Sequence, residues 1–315
     1  MSSLPLIIVN PASAGGSTGR DWPGVASAVR RHFGPFEVAF TKRSGEAVEI
    51  AEREARGGRR LVIACGGDGT VNEVANGLLR AEAEAELGVL PSGTGGDFRR
   101  TLDIPNRAAD AARSLRQGET RPMDAGRVTF LNARGGEESR FFVNVASFGM
   151  GGDVIKRVKS REGLPAGAAR LLGGRLSFAA AALQAAVTFE KPLVRVSLDG
   201  GTSSQLSVAN FCVANARYFG GGMKIAPNAK LDDGRFDVVA VGDVSALTVL
   251  ANSYRLYLGT HLGMQEVRHA HAARVRAESA DGSVVKLEVD GELAGRLPAS
   301  FELLPGALRV RCPAR

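Results

Sequence analysis

Gly66-Gly67-Asp68-Gly69-Thr70 sets a carboxylate among glycines directly after the apolar run Leu61-Val62-Ile63-Ala64. Glycine turns at strand ends bring backbone N–H groups to anions, yet an aspartate repels a phosphate unless a cation stands between them. Asp68 therefore reads as a residue serving a Mg²⁺-bound nucleotide. For an isolated GGDG the plainer alternative is a carboxylate that fixes the turn or caps the next helix. Asp290 and Glu292 stand two apart in Val289-Asp290-Gly291-Glu292, after a strand pattern. Two carboxylates so close in a turn after a strand are candidates for a general base. Asp290-Gly291 is also an ordinary hairpin-turn pair, whereas Glu292 has no such structural need.

The elements that would position these groups follow from periodicity. Leu61–Ala64 is β-branched and apolar without alternation, which suits a strand covered on both faces. Val71, Val74, Ala75, Leu78 and Leu79 then fall on one face of a helix. Up to about residue 125 strand and helix patterns alternate: Pro5–Asn10, a helix through Trp22–Phe33, Phe36–Thr41, a helix through Ala47–Arg56, the Leu61 strand and its helix, Glu86–Pro91, and a helix through Asp110–Arg116. This βα series predicts a doubly wound parallel sheet. In such a sheet Asn10, Ser13, Gly15 and Gly16 after the first strand, Thr41 after the second, and Ser92, Gly93, Thr94 and Gly95 after the fourth share one edge and converge on one crevice.

From Arg140 the strands follow an antiparallel pattern over 140–149, 195–201, 205–216, 236–242, 273–279, 283–291, 300–306 and 307–313, with Asp-Gly turns at 199–200, 281–282 and 290–291. They predict a β-sandwich interrupted by helices around 171–187 and 246–258. The boundaries expected are 1–127 for an α/β domain and 128–304 for the sandwich, with 305–315 returning to the first domain.

The composition narrows the function classes. The chain has 315 residues, 44% hydrophobic, with net charge +7; 33 of its 40 basic residues are Arg, which favours an anionic partner or a solvated basic surface. Six per cent aromatics and no recognisable motif argue against nucleic acid. Cys65, Cys212 and Cys312 form no CxxC pair and read as reduced thiols of a cytosolic protein, and the N-terminus reads as a first strand rather than a signal peptide. The longest apolar helix pattern, Leu176–Phe189, falls short of the ~20 residues that span a bilayer. Lys156, Arg157, Lys159, Arg161, Arg170 and Arg175 are interleaved with leucines over Val154–Phe178, as in a segment lying on an anionic membrane or on a solvated helix face. No Gly-Lys pair is present, which excludes a P-loop, and neither a GxGxxG after the first strand nor an HExxH occurs. Gly15–Gly19 matches GxSxG but does not follow its strand directly, as a nucleophile elbow must. His269 and His271 alternate as on one strand face and read as solvated rather than metal-binding.

The motifs VNPASAGG (9–16), GGDGTVNEV (66–74), LPSGTGGDFRRTLDIP (90–105), Asp124 in RPMDAGRV, FVNVASFGMGGDV (142–154), APNAKLDDGRFDVV (226–239) and VDGE (289–292) occur in one order along nearly the whole chain. In these the chain resembles the diacylglycerol kinase catalytic domain family, which includes bacterial lipid kinases and relatives of sphingosine kinases. The resemblance implies an NAD-kinase- and phosphofructokinase-like first domain, a sandwich second domain and ATP-dependent phosphorylation of a lipid hydroxyl in the cleft between them. An alcohol is a weak nucleophile, so this reaction needs a carboxylate to take its proton, which makes Asp290 and Glu292 the base candidates, with Asp124 supporting the metal network. It implies nucleotide binding by Asn10, Pro11, Ala12, Ser13, Thr41, Gly67, Asp68, Gly69, Thr70, Val71, Asn72, Glu73, Ser92, Gly93 and Thr94. It also implies a structural Mg²⁺ on the Asp233 side chain, or on neighbouring Asp232, with main-chain oxygens of Lys230 and Arg235. Gly96 departs from the family's usual Asn and puts a polar contact from that position in doubt. The implied location is cytoplasmic, peripheral to the inner face of the membrane, with a homodimer left open. The alternatives are an NAD-kinase-like phosphotransferase on a soluble substrate and a silent nucleotide- or lipid-binding regulatory relative.

Overall fold

The computed structural model describes residues 4–92, 95–150 and 190–314. In the first part β1 (Leu6–Val9), β2 (Glu37–Phe40), β3 (Leu61–Gly66) and β4 (Glu86–Pro91) run parallel in the order β4-β3-β1-β2. The helices are α1 (Ser17–His32), α2 (Glu46–Arg56), α3 (Asp68–Ala81), the short α4 (Asp97–Thr101) and α5 (Ala108–Gln117). Packing pairs α2 with α3 and α1 with α5. Helices cover the sheet, so β1 and β3 are buried along their whole length and have no polar face to alternate.

The remaining strands are antiparallel: β5 (Glu119–Leu131), β6 (Glu137–Phe142), β7 (Val145–Gly149), β8 (Leu193–Leu198), β9 (Ser204–Ser207), β10 (Asn210–Ala214), β11 (Phe236–Val241), β12 (Val267–Ala272), β13 (Arg274–Ser279), β14 (Lys286–Val289) and β15 (Glu292–Cys312). A helix, α6 (Ala246–Leu258), lies between β11 and β12. The sandwich core is aromatic, with Phe142 stacked on Phe236 at 5.5 Å and Phe148 on Phe211 at 4.7 Å.

The two halves share one hydrogen-bonded path, β12-β11-β10-β7-β14-β15-β4-β3-β1-β2. β15 makes the junction: it pairs antiparallel with β14 near its start and parallel with β4 at Arg309 and Val310. The architecture is therefore a mixed sheet with parallel N-terminal strands and an antiparallel sandwich-like C-terminal part.

Several strands differ from the sequence pattern. The segments 300–306 and 307–313 are one strand, and the segment 205–216 is two. The single strand expected over 140–149 is also broken into β6 and β7. Its central backbone N–H groups, from Val143, Asn144 and Val145, are all taken by Asp290, so they are lost to a strand ladder. The helix expected at 171–187 and the basic segment 154–178 lie outside the described residues. Among the described residues no helix is long and apolar enough to cross a membrane.

Candidate active site

The ends of the parallel strands are tied to one another. The Asn10 N–H donates to the Cys65 carbonyl (3.0 Å), that of Ser92 to the Gly66 carbonyl (3.0 Å) and that of Thr41 to the Val9 carbonyl (2.9 Å). Side chains continue the network: Asn10 Nδ2 donates to Thr70 Oγ1 (3.2 Å), Asn10 Oδ1 accepts the Ala12 N–H (3.1 Å), and the Ser13 hydroxyl lies 3.4 Å from that of Thr70. The Thr18 and Ser92 hydroxyls meet at 2.7 Å. Gly66 must be glycine here, because a Cβ would lie 2.4 Å from Thr70 Oγ1. Gly93 and Thr94 lie outside the described residues.

Asp68 opens α3, and its carboxylate reaches across to the next loop. Oδ2 accepts the Gly96 N–H (2.7 Å) and Oδ1 the Phe98 N–H (3.1 Å). A Cβ on Gly95 would lie 2.6 Å from Asp68 Oδ2, so that glycine makes room for the carboxylate. Gly96 has φ +68°, a left-handed conformation open to Gly and tolerated by Asn. At Gly96 the structure thus uses the backbone N–H and the left-handed turn.

The carboxylate next along, Asp97, is absent from the sequence-derived site. It is buried, accepts from the Gly221 N–H (2.8 Å) and pairs with Arg100 (2.8 Å). Burial first, and then the Asp68 charge, push its pKa up to about 6. The available signal in the sequence is an acid directly after the glycine run, at the first turn of a helix.

Asp290 and Gly291 are the central residues of the β14–β15 hairpin, both with positive φ (47° and 82°), so the turn reading of this pair is correct as far as it goes. The side chain does more. Oδ1 accepts from the Asn144 and Val145 N–H groups and Oδ2 from Val143 N–H, all at 2.9 Å, and Oδ2 also accepts from Asn72 Nδ2 (2.7 Å). Burial pushes the Asp290 pKa up to about 6, against these donors, which favour the carboxylate. Each oxygen already accepts two hydrogen bonds, which occupies the acceptor capacity of an ionised carboxylate. Glu292 is the opposite case: it is exposed and has no hydrogen-bond or ion-pair partner among the described residues. Its Oε1 lies 3.6 Å from where a Cβ on Gly69 would sit, which brings it against the glycine turn.

Glu73 contacts the loop that follows β2. Its oxygens accept from Gly45 N–H (2.9 Å), Ser44 Oγ (3.4 Å) and Ala47 N–H (3.3 Å), which serves the start of α2. Asp124 is buried and anchors the loop 230–235: Oδ2 accepts from Gly234 N–H and Oδ1 from Gly306 N–H, both at 2.8 Å, and its own N–H donates to the Leu231 carbonyl (2.6 Å). In that loop Asp233 is exposed and turns Oδ1 onto the Arg235 N–H (3.2 Å). A cavity of about 470 Å³, lined by Thr129, Glu137, Arg195 and Arg276 among others, opens on the sandwich and touches none of the carboxylates above. The hollow at the glycine turns is lined by Gly66, Asp68, Ser92, Gly96 and Arg99.

The sequence pattern of the diacylglycerol kinase catalytic domain matches residues 5–128. That of the YegS C-terminal NAD kinase beta sandwich-like domain matches residues 152–312, half of the chain. The chain belongs to this two-part diacylglycerol kinase family. A diacylglycerol kinase of Bacillus subtilis is 29% identical over 274 residues, covering 87% of this chain and 84% of its own length. One of Staphylococcus aureus is 29% identical over 308 residues, covering 98% and 91%. A solved diacylglycerol kinase from Bacillus anthracis superposes with TM-score 0.72 at 24% identity, covering 98% of this chain and 97% of its own. A yeast NADH kinase superposes with TM-score 0.51 at 9% identity over 100% of this chain and 84% of its own, a likeness of fold alone. The kinase family and the fold thus agree with the glycine turns and the sandwich described above.

Proposed function

We propose that this protein transfers the γ-phosphoryl of ATP to a hydroxyl of a lipid such as diacylglycerol, with Glu292 as the base. The observation that carries this reading is a carboxylate, Glu292, that has no hydrogen-bond or ion-pair partner among the described residues and is set against the Gly66–Thr70 turn at the start of α3. The amides of that first helical turn have no intrahelical partner and favour negative charge, as nucleotide phosphates require. Asn10, Pro11, Ala12, Ser13, Thr41 and Ser92 stand at the ends of the same strands and complete the nucleotide site, Val71 lines its hollow, and Gly93 and Thr94 are assigned to it from the sequence alone. Asp290 positions Asn72 and the strand start at Val145, so of the two base candidates it is the positioning residue.

The donor set suits Mg²⁺. Asp68 and Asp97 bring two carboxylates close enough for the first to raise the pKa of the second, and a cation relieves that repulsion. Asp68 with Asp97 would hold the nucleotide's ion, and Asp233 with main-chain oxygens of Lys230 and Arg235 a structural one. Bound there, Mg²⁺ supplies positive charge to the phosphate oxygens. Glu292 accepts the lipid hydroxyl proton, and Asp124 keeps the 230–235 loop against β15. The basic residues of 154–178 support contact with an anionic cytoplasmic membrane face.

Incubation with γ-labelled ATP and either total lipid extract or NAD decides the acceptor. Label in the organic phase is expected. Label on NAD alone would establish the soluble-substrate alternative, and ATP binding with no transfer would establish a silent relative.

A further inference from the structure

At the opposite end of the hydrogen-bonded path from the glycine turns, β11 and the edge strand β12 bring three ligand-type side chains together. Asp237 pairs in register with His271, and Val239 with His269. The two-residue period of a strand therefore places Asp237, His269 and His271 on one face. That face is the one opposite the sandwich core, which takes Phe236, Val238 and Ala240; Val239 packs there in a smaller cluster with Val145, Cys212 and Ala214, against Leu256 and Leu262.

Asp237 is only 2% exposed, so its charge needs compensation. Oδ1 lies 2.8 Å from His269 Nε2 and 3.6 Å from His271 Nε2, and the three ligand atoms are all within 4.8 Å of one another. A hydrogen-bonded Asp–His pair accounts for the first distance. It does not account for a second imidazole turned onto the same oxygen. Around a tetrahedral ion with bonds of about 2.0–2.1 Å, neighbouring ligand atoms stand about 3.3 Å apart, between the two distances seen here. His271 is half-exposed, which leaves a path for the ion and an open coordination position. His261 is not part of the group, since its Nε2 meets the Ile225 carbonyl at 3.0 Å.

We propose that Asp237, His269 and His271 form a three-ligand site for a transition-metal dication, Zn²⁺ by its chemistry, which clips edge strand β12 onto β11. Two imidazoles and one carboxylate suit Zn²⁺, Co²⁺, Ni²⁺ or Cu²⁺, whereas Mg²⁺ and Ca²⁺ take oxygen ligands. The site is separate from the Mg²⁺ sites proposed above and does not depend on them.

The test uses tag-free, chelator-treated full-length protein in millimolar Mg²⁺. Zn²⁺ is titrated by calorimetry, and Co²⁺ is followed by its visible absorption. One equivalent of Zn²⁺ and a Co²⁺ band in the visible are expected. His271→Ala, whose partly exposed position tolerates the change, should weaken Zn²⁺ binding by more than the roughly 10–100-fold typical of losing an outer-shell partner. His269→Ala should do the same, and Asp233→Ala should leave uptake at parental affinity. Absence of Zn²⁺ binding, unchanged affinity in His271→Ala, or loss of uptake in Asp233→Ala would each overturn the proposal.

Discussion

The Asn72 amide donates to Asp290 Oδ2 at 2.7 Å, joining helix α3 of the parallel half to the hairpin turn of the sandwich. The same carboxylate receives the Val143, Asn144 and Val145 N–H groups, so one residue fixes both the junction and the break between β6 and β7. Asp290→Asn would turn an NH₂ group toward donors and leave at least one N–H unsatisfied, at a cost of about 1–3 kcal/mol. Denaturant titration should show this loss of stability, and a variant as stable as the parent would remove the positioning role.

Asp68 is expected to depend on Gly95. In Gly95→Ala the new Cβ, 2.6 Å from Asp68 Oδ2, would push the carboxylate off the Gly96 and Phe98 N–H groups. We expect a loss of about 1–3 kcal/mol in stability together with a loss of kinase turnover. Gly67→Ala meets nothing within 4 Å and should melt close to the parent. Equal melting temperatures for the parent, Gly95→Ala and Gly67→Ala would contradict this geometry.

The Asp97 pKa gives a pH dependence with a definite sign. It is raised from 3.8 to about 6, so between these values the folded state binds more protons than the unfolded one. Its contribution favours folding at low pH and is lost as pH rises through about 6. Asp97→Asn should therefore gain stability relative to the parent as pH rises from 4 to 7, by at most about 1.4 kcal/mol for each pH unit crossed between the two pKa values. Urea titrations across that range check this; parallel profiles for the two proteins would show that Asp97 carries no such linkage.

Asp233 and Asp124 should separate in a thermal-shift series with Mg²⁺. Asp233→Ala removes a proposed ligand from an exposed position, so the apo melting temperature should stay near the parent's while the Mg²⁺-induced rise disappears. Asp124→Ala strips acceptors from Gly234 and Gly306 and should lower melting with or without the ion. An undiminished Mg²⁺ response in Asp233→Ala would make the loop a plain turn.

The parallel half was legible because its signals are local: apolar strands without alternation, one-faced helices, and glycines where strands end. A return of 305–315 to the first part could be expected, but the pairing that makes the sheet continuous, Arg309 with Glu86 and Val310 with Leu87 of β4, was not legible, because it joins residues more than two hundred positions apart. Asp290 shows the same limit. Its turn could be read from Asp-Gly, but its four donors come from α3 and from residues 143–145, which sequence spacing does not bring together. His269 and His271 could be placed on one strand face, yet the buried Asp237 beneath them belongs to another strand.

In the proposed reaction Glu292 takes the lipid proton while Asp68 organises the nucleotide. The initial rate of γ-phosphoryl transfer from labelled ATP into the organic phase by Glu292→Gln, with Mg·ATP affinity measured on the same protein, separates these two roles. Near-parental affinity, parental melting and a rate lower by roughly 10²–10⁴-fold, as for loss of a general base, are expected. A Glu292→Gln variant that phosphorylates lipid at close to the parental rate would show that Glu292 is not the base.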